Sequence, residues 1–457
     1  MFKTLPGFRE FYPDDCAKRN FIFSKWRKTA ETFGFKEFDP PVLEQVELFT
    51  EKSGEEIKSQ LFEFVDKGGR GVSLRPEMTP SLARMVGAKA AGIRRPVKWF
   101  AIGENYRYER QQKGRLRAFY QYNADILGDD SINADAEVIA LLIESLRAFG
   151  LTEKEFKLRL GDRTLWVLFL QNMGVEENFI IPVLSVIDKM EKVSAEALAE
   201  MAEKALEGSK ADAKALMAAA KDFIKASTLD EIRASFDLSS ELAEKIDARI
   251  SDWRILISLL SSMGVGEYVS IDLGIVRGLA YYTGFVFEAF QTVGSGRALA
   301  GGGRYDNLVK KLGYQDMPAV GFGMGDVTVS DLLELVGKMG TVAQPLQVYV
   351  AIGSPNCRDK ALEIVSTLRR AGYRTDYPFK DVSFGKQFKQ ADSLGAKFAV
   401  VVGEDEVSKG CAKVKRLSTG EETFVEFGDL AVSDTLSLSS NLSGLSAELI
   451  LIDKKEK

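Results

Sequence analysis

The fold of this chain is most constrained by two neighbouring stretches whose side chains alternate in character. They are VKWFAIGENYRY (residues 97–108) and AFYQYNADIL (118–127), joined by the polar run ERQQKGRLR with Gly114 at its expected tip. Alternation with a period of two predicts β-strands, and the short polar connection predicts that the strands pair as a hairpin. The sequence therefore requires a sheet whose two faces carry different chemistry.

One face of the predicted hairpin packs, and the other presents charges and amides. The polar face carries Asn105, Arg107, Glu109, Arg117, Phe119, Gln121, Asn123 and Asp125. The opposite face carries Tyr106, Tyr108, Ala118, Tyr120, Tyr122, Ala124 and Ile126. A polar strand face is commonly just solvated in an antiparallel sheet. The alternative is a binding site, because this mixture of cations, acids and amides suits a nucleotide together with a small polar molecule.

Composition excludes several classes of enzyme, because the 457 residues include no histidine. Imidazole is the usual proton shuttle and nitrogen ligand, so Ser-His-Asp hydrolases, Cys-His proteases, HExxH metallopeptidases and Cys2His2 zinc fingers are ruled out. Three distant cysteines without CxxC spacing predict reduced thiols rather than a disulfide framework or a metal site. The sequence shows no apolar signal core and no long apolar run, so we expect a soluble cytoplasmic protein with no membrane contact.

A basic island lies within an otherwise acidic chain. The net charge is −5, yet residues 94–117 hold eight basic and only two acidic side chains. Because binding of a polyanion depends on where cations cluster, this island is a candidate contact for phosphate groups.

Patterning divides the chain into regions. Residues 1–335 are predicted to form one mixed α/β core, interrupted at about 170–255 by a helical insertion rich in Ala, Lys, Glu and Leu. A linker is expected near 335–345, and alternating strand and helix patterns over 345–430 predict a compact second α/β domain. Shorter patterns predict helices at 17–34, from Thr79 onward and over 131–150, and a hairpin at 54–71. Residues 431–457 form a tail.

Four segments in chain order resemble the signatures of class II aminoacyl-tRNA synthetases in their histidyl form. Motif 2 of that family resembles Arg107–Arg110, Gln112–Arg115, Arg117, Phe119 and Gln121. The family's amino-acid-binding turn resembles residues 75–79, its RGLxYY signature residues 277–284, and its second specific signature the GGGRYD of residues 301–306. Residues 41–44 resemble motif 1, and the likeness covers most of residues 1–430.

The resemblance implies a fold and an activity. The fold would be α/β (α+β): an antiparallel-sheet catalytic domain with a helical insertion, followed by an α/β anticodon-binding domain. The activity would be histidine–tRNA ligation, in which ATP activates L-histidine to histidyl-adenylate and the product is transferred to tRNA(His). ATP is then a substrate and Mg²⁺ the cofactor, with no protein residue assigned to the metal. A homodimer with motif 1 at its interface is also implied.

The same resemblance implies roles for individual residues, with Arg107 and Arg277 as the catalytic pair around the α-phosphate. The histidine-binding set is Glu77, Thr79, Arg107, Gln121, Asp125, Arg277, Tyr281, Tyr282 and Tyr305. The ATP-binding set is Arg107, Glu109, Arg115 and Arg304, and the tRNA-binding set is Arg110, Gln112, Lys113 and Arg117. Within the first set, Glu77 and Thr79 would hold the ammonium group, and Asp125 would accept from a ring N–H. Tyr282, with Tyr305 nearby, would donate to the other ring nitrogen, and Gln121 would complete the pocket. Plain core packing remains the alternative for the tyrosines, and a structural salt bridge for Arg277.

The chain departs from the family pattern at three positions. Asp125 stands where the family usually has glutamate, and Tyr120 where motif 2 often has histidine. Thr328 stands where motif 3 normally has an arginine over the adenine, a role that Arg115 or Arg304 would have to share. Two alternative functions stay open. One is a tRNA-sensing module without activity, which only the missing motif 3 arginine favours. The other is a non-catalytic paralogue that serves as a regulatory subunit of ATP phosphoribosyltransferase. Such paralogues typically lose the anticodon domain and much of the catalytic set.

Overall fold

In a computed structural model, the structure describes residues 2–50, 58–109, 116–190, 193–237, 241–276, 281–342, 345–431 and 449–451. The chain divides into two units, one of residues 1–341 with 451–457 and one of residues 342–450. In the described part, no helix is long and apolar enough to cross a membrane.

The first unit is built on an eight-stranded, mostly antiparallel sheet. In spatial order its strands are β1 (Lys36–Glu37), β5 (Val97–Tyr106), β6 (Ala118–Leu127), β11 (Ala319–Gly325), β10 (Ala298–Arg304), β9 (Phe285–Gln291), β7 (Phe156–Asp162) and β8 (Val269–Ile271). Only the outermost pairs, β1 with β5 and β7 with β8, are parallel. A smaller antiparallel sheet holds β2 (Leu43–Gln45), β4 (Gly71–Leu74) and β3 (Phe62–Val65), in that order. The remaining strand of the region is β12 (Gly340–Val342).

The predicted hairpin lies near the middle of the large sheet. β5 and β6 pair antiparallel, with Asn105 opposite Phe119 and Ala101 opposite Asn123. The face predicted to pack does so: Tyr122 is fully buried, stacked on Trp26 at 5.4 Å between ring centroids and edge-on to Phe322 at 5.3 Å. The period-two interpretation of these strands is confirmed.

Helices surround the large sheet and form the region between β7 and β8. They are α1 (Pro13–Thr32), α2 (Glu47–Thr50), α3 (Thr79–Ala88), α4 (Ile132–Arg147), α5 (Arg163–Asn172), α6 (Glu177–Ile187), α7 (Ala195–Ala205), α8 (Ala213–Ile224), α9 (Leu229–Ala234), α10 (Ala243–Ser262), α11 (Leu308–Lys311) and α12 (Asp326–Leu335). The first helix starts four residues before the predicted position, because Pro13 is tolerated in a first turn and the Asp15 carboxylate accepts from the Tyr12 N–H at 3.2 Å. It ends before Gly34, whose φ of 76° suits glycine.

The second unit has its own five-stranded sheet and core. Its strands, in spatial order, are β14 (Thr375–Asp376), β13 (Val348–Ile352), β15 (Phe398–Val402), β16 (Cys411–Arg416) and β17 (Glu422–Glu426). Its helices are α13 (Arg358–Arg370), α14 (Phe384–Ser393) and α15 (Glu404–Lys409), and the last described strand of the chain is β18 (Leu449–Leu451). Parallel β13–β15 pairing and buried Val350, Leu368 and Phe398 make this an α/β domain. The expected mixed α/β fold with a separate C-terminal sheet domain is confirmed.

Candidate active site

The polar face of β6 is not solvated, contrary to the simplest expectation for such a face. Asn123 and Asp125 are only 4% and 2% exposed, and the start of α3, the segment at Tyr281, and Tyr305 just before α11 line the same space. Between these elements lies a small cavity. It is lined by Glu77, Thr79, Arg107, Gln121, Asn123, Asp125, Tyr281, Tyr282, Gly301, Tyr305, Gly321, Phe322 and Gly323. Eight of the nine residues predicted to bind histidine therefore line one cavity.

Asp125 is the buried carboxylate of this cavity. The hydroxyl of Tyr305 donates to its Oδ1 at 2.6 Å, while Oδ2 is buried with no hydrogen-bond partner. Burial raises the pKa of Asp125 to about 7, with the Tyr305 hydrogen bond opposing and the charge of Glu77 adding to the shift. An oriented acceptor with an open oxygen is suited to a ligand that brings its own N–H donor.

The opposite wall carries a second acid. Glu77, 5% exposed, lies just before α3, and the hydroxyl of Tyr281 donates to its Oε2 at 2.9 Å. Thr79 begins α3, where Pro80 is accommodated in the first turn. The ring of Tyr281 packs against those of Tyr282 and Tyr305, at 5.0 and 5.9 Å between centroids. The tyrosines thus pack in the core and also line the cavity, so the two interpretations of them are compatible.

Two glycines on β11 leave space for the side chains of β6. Gly321 and Gly323 on β11 lie opposite Asp125 and Asn123. A Cβ at Gly321 would stand 1.8 Å from Asp125 Oδ1, and one at Gly323 would stand 2.3 Å from Gln121 Nε2. The glycine-rich strand is therefore required by the close approach of carboxylate and amide.

Gln121 is oriented by a neighbour on β5. The amide of Asn105, fully buried, donates to Gln121 Oε1 at 2.9 Å. Gln121 thereby keeps its amide nitrogen for a ligand acceptor such as a carboxylate.

Arg107 brings a cation to the mouth of the cavity. It follows the end of β5, its Nε donates to the Pro76 carbonyl at 3.0 Å, and its guanidinium lies 5.4 Å from the centroid of the Phe119 ring. The ring and the carbonyl together fix the guanidinium plane, which favours recognition of a planar or tetrahedral oxyanion.

Arg304, predicted to contact ATP, lies away from this group. Its side chain is 6% exposed and pairs with Asp135 at 2.7 Å and with Asp306 at 3.1 Å. Its remaining donors reach the carbonyls of Asp129 and Ser131, both at 3.1 Å. Because all five N–H groups are engaged within the protein, Arg304 is an ion-pair residue in this structure, and its contact with ATP stays a prediction.

Several other predicted residues lie at the edge of the site or outside the described part of the chain. Arg277 and the loop residues Arg110, Gln112, Lys113 and Arg115 fall outside the described residues. Arg117 is partly exposed, and its guanidinium lies 4.2 Å from the centroid of the Tyr108 ring. Glu109 follows the end of β5 and does not line the cavity, although its carbonyl accepts from Arg117 Nε at 3.4 Å.

At the motif 3 position, a buried aspartate binds the N-terminal part of the chain. Asp326 begins α12, is 3% exposed, and forms a salt bridge with Arg9 at 2.8 Å while accepting from the Tyr120 N–H at 2.9 Å. Thr328, two residues on, contributes its carbonyl to the Gln291 amide at 3.3 Å. No cation stands at position 328 itself.

Comparison with known proteins places this geometry in a family. The family model of histidyl-tRNA synthetase matches residues 7–327, and that of an anticodon binding domain matches residues 347–433. The chain belongs to the histidyl-tRNA synthetase family. The histidine–tRNA ligase of Opitutus terrae is 52% identical over 424 residues, which are 93% of this chain and 96% of that protein.

More distant relatives agree with this assignment. The chloroplastic/mitochondrial histidine–tRNA ligase of Arabidopsis thaliana is 36% identical over 424 residues, covering 93% of this chain and 85% of that protein. The apo structure of S. aureus histidyl-tRNA synthetase shares the fold, with a TM-score of 0.72, 24% identity, and coverage of 94% of this chain and 99% of that one. The expected class II architecture of a histidyl-tRNA synthetase is thus confirmed.

Sequence reasoning missed two side chains of this synthetase site. The sequence pattern places Asn123 on the polar face but indicates no role for it. It also gives no sign that Asn105 contacts Gln121. The strand period that put Asn123 between Gln121 and Asp125 was a sufficient signal for the first. The second needed the register between β5 and β6, which no pattern within one strand contains.

Proposed function

We propose that the chain ligates histidine to tRNA(His) in two steps, with the cavity between β6 and α3 as the amino-acid site. The observation that carries this proposal is the pairing of a buried carboxylate, Asp125, with a second acid, Glu77, across one small cavity. Histidine has two donors, an ammonium group and a ring N–H, and so matches a cavity that offers two acidic acceptors.

In the first step, Glu77 and Thr79 bind the ammonium group and Asp125 accepts from the ring. Gln121 donates to the amino-acid carboxylate, which then lies towards Arg107. Because Tyr305 holds one oxygen of Asp125 at 2.6 Å, the other oxygen is fixed in direction before the ligand arrives. A site that recognises polar ring atoms would reject apolar isosteres by about 10⁴-fold or more, without an editing domain.

Adenylate formation is an in-line displacement in which the carboxylate of histidine attacks the α-phosphorus and pyrophosphate leaves. Arg107 neutralises charge on the α-phosphate oxygens, and Arg277 is proposed to approach from the opposite side. Mg²⁺ would accompany ATP, since a metal held by phosphates and water needs few protein ligands. No proton transfer in this step requires an imidazole from the protein.

In the second step a ribose hydroxyl of the terminal adenosine of tRNA attacks the carbonyl carbon of the adenylate. The aminoacyl ester forms as the bond to AMP breaks, and AMP and the hydroxyl proton leave. The basic loop 110–115 and Arg117 are proposed to contact the acceptor end, and the domain of residues 345–430 the anticodon. Family membership further supports a homodimer acting in the cytoplasm, with the motif 1 segment at the interface.

The regulatory alternative has less support. A regulatory paralogue would be expected to lack the anticodon domain, whereas the match to an anticodon binding domain spans residues 347–433.

ATP–pyrophosphate exchange with each of the twenty amino acids tests the proposal. We expect exchange with histidine alone, followed by transfer to tRNA(His) when tRNA is added. Absence of exchange with every amino acid, in a protein that is folded by circular dichroism, would refute the ligase function and favour the regulatory one.

A further inference from the structure

Asn123 occupies a place in the cavity that the proposed histidine contacts leave without explanation. It lies on β6 between Gln121 and Asp125, with all three side chains on the same face. Its side chain is 4% exposed, and its Oδ1 is buried with no hydrogen-bond partner. A buried amide without a partner is destabilising by about 1–3 kcal/mol, so its presence requires a compensating role.

A structural role for this amide finds no support in its surroundings. The residues opposite Asn123 on the neighbouring strands are Ala101 and Gly323, which offer no side-chain donor. The other buried acceptor beside it, Asp125 Oδ2, also has no partner. Two unpaired acceptors therefore face one cavity, two residues apart on a single strand.

The spacing of these two groups matches an imidazole ring. Residues i and i+2 of a strand are separated by about 6.7 Å. A ring that makes a hydrogen bond of about 2.9 Å from each nitrogen spans about 7 Å between its two partners. An amide offers both an acceptor and a donor, so Asn123 can accept from a ring N–H through Oδ1 or donate to a bare ring nitrogen through Nδ2.

We infer that Asn123 is a specificity-determining residue that binds, beside Tyr282, the ring nitrogen of histidine that Asp125 does not bind. This inference rests on the proposed function, since it concerns the amino acid activated at the same site. The inference also accounts for aspartate at position 125, where the family usually has glutamate. Asp125 binds the nitrogen at one end of the ring and Asn123 binds the nitrogen at the other end, so that the ring lies along the strand.

Two analogues of histidine separate the two contacts. In 3-(pyrrol-2-yl)alanine and 3-(pyrrol-3-yl)alanine, one or the other ring nitrogen is replaced by a carbon. For the unaltered protein, both analogues should be activated far less efficiently than histidine, as measured by kcat/KM in ATP–pyrophosphate exchange. In Asn123→Ala, discrimination against one of the two should fall by about 10-fold or more, and discrimination against the other should be retained.

Asn105→Ala is the matched control. It makes the same substitution at a buried asparagine of the neighbouring strand, whose amide contacts Gln121 rather than the ring site. It should alter the KM for histidine without changing the ratio between histidine and either analogue. Asn123→Thr, which retains strand propensity but shortens the reach, should reproduce the loss of discrimination if Asn123→Ala fails to fold.

The outcomes distinguish this inference from the function on which it rests. Exchange with histidine by the unaltered protein, combined with unchanged analogue ratios in folded Asn123 variants, overturns the role of Asn123 alone. Loss of discrimination against both analogues overturns it as well, because that result indicates a collapsed pocket. Absence of histidine exchange in the unaltered protein refutes the ligase function itself.

Discussion

At Asp125, burial disfavours the ionised carboxylate, which is the form that best accepts a ligand N–H. The carboxyl group is surrounded by protein and near Glu77, so its pKa is raised to about 7, although the Tyr305 hydroxyl partly stabilises the charge. A ligand N–H would donate the hydrogen bond to Asp125 that the protein does not provide. Without a ligand, the folded protein is therefore less stable when Asp125 is ionised.

This opposition predicts a pH-dependent effect of Asp125→Asn. Because the folded state holds the proton more tightly than the unfolded state, Asp125 lowers stability progressively as the pH rises from about 4 to about 7. Replacing the acid by its neutral isostere should remove that slope. Relative to the unaltered protein, the variant should gain about 3 kcal/mol more stability at pH 8 than at pH 5, by urea unfolding without ligand. An equal effect at both pH values would contradict the raised pKa.

Arg304 shows how a predicted ligand residue can also have a structural role. The second signature, GGGRYD, places Arg304 beside Tyr305, and only the latter lines the cavity. Tyr305 directly follows β10 and lines the cavity, while Arg304, the last residue of β10, pairs with Asp135, so one signature serves both the cavity and the core. Arg304 compensates the charge of Asp135, which would otherwise be buried without a counter-ion.

At the scale of elements, β11 helps to position the site because its glycines carry no side chains. Its alternating glycines leave room for side chains of β6 at distances that a methyl group could not share. The strand periodicity predicted which residues of β6 face the cavity, while the space they occupy is defined by a strand almost 200 residues away.

Gly321→Ala tests this steric requirement. The added Cβ would meet Asp125 Oδ1 at 1.8 Å, so we expect a loss of about 1–3 kcal/mol in stability and a raised KM for histidine. Gly325→Ala, on the same strand, is the matched control, because its nearest neighbour would be Thr328 Oγ1 at 3.9 Å. Equal effects of the two substitutions in thermal unfolding and exchange assays would show that crowding at Asp125 is not the cause.

At the scale of the whole molecule, the cavity and the domain that matches the anticodon binding domain family belong to units with separate cores. The cavity and all its lining residues belong to the first unit, while the second is organised around its own buried cluster, with Val350, Phe398 and Val400 among its members. Activation of histidine and selection of tRNA should therefore be separable.

Truncation after Thr341 tests that separation. The shortened protein should retain histidine-dependent ATP–pyrophosphate exchange within about 10-fold, while charging of tRNA(His) should fall by about 100-fold or more, because anticodon contacts are lost. The full-length protein assayed in parallel is the reference. Charging that survives truncation unchanged would remove the C-terminal domain from tRNA recognition.

The sequence by itself determined the strand period, the polar face, the two-domain order and, through four ordered motifs, the family. These are properties of short segments, in which local geometry follows from neighbours in the chain. The lack of histidine also excludes catalysis by an imidazole of the protein.

Only the tertiary structure decided which residues cover the polar face and where the unpaired acceptors lie. It also decided that Arg107 lines the cavity whereas Arg304 is buried in ion pairs. Asp125 meets Tyr305 and Gly321, and Glu77 meets Tyr281, across separations of about 180 to 204 residues. Such contacts depend on strand order and register, which arise from the packing of the whole sheet and leave no pattern in any single segment. The pKa of Asp125 follows from the same packing, because burial and the charges around it exist only in the folded protein.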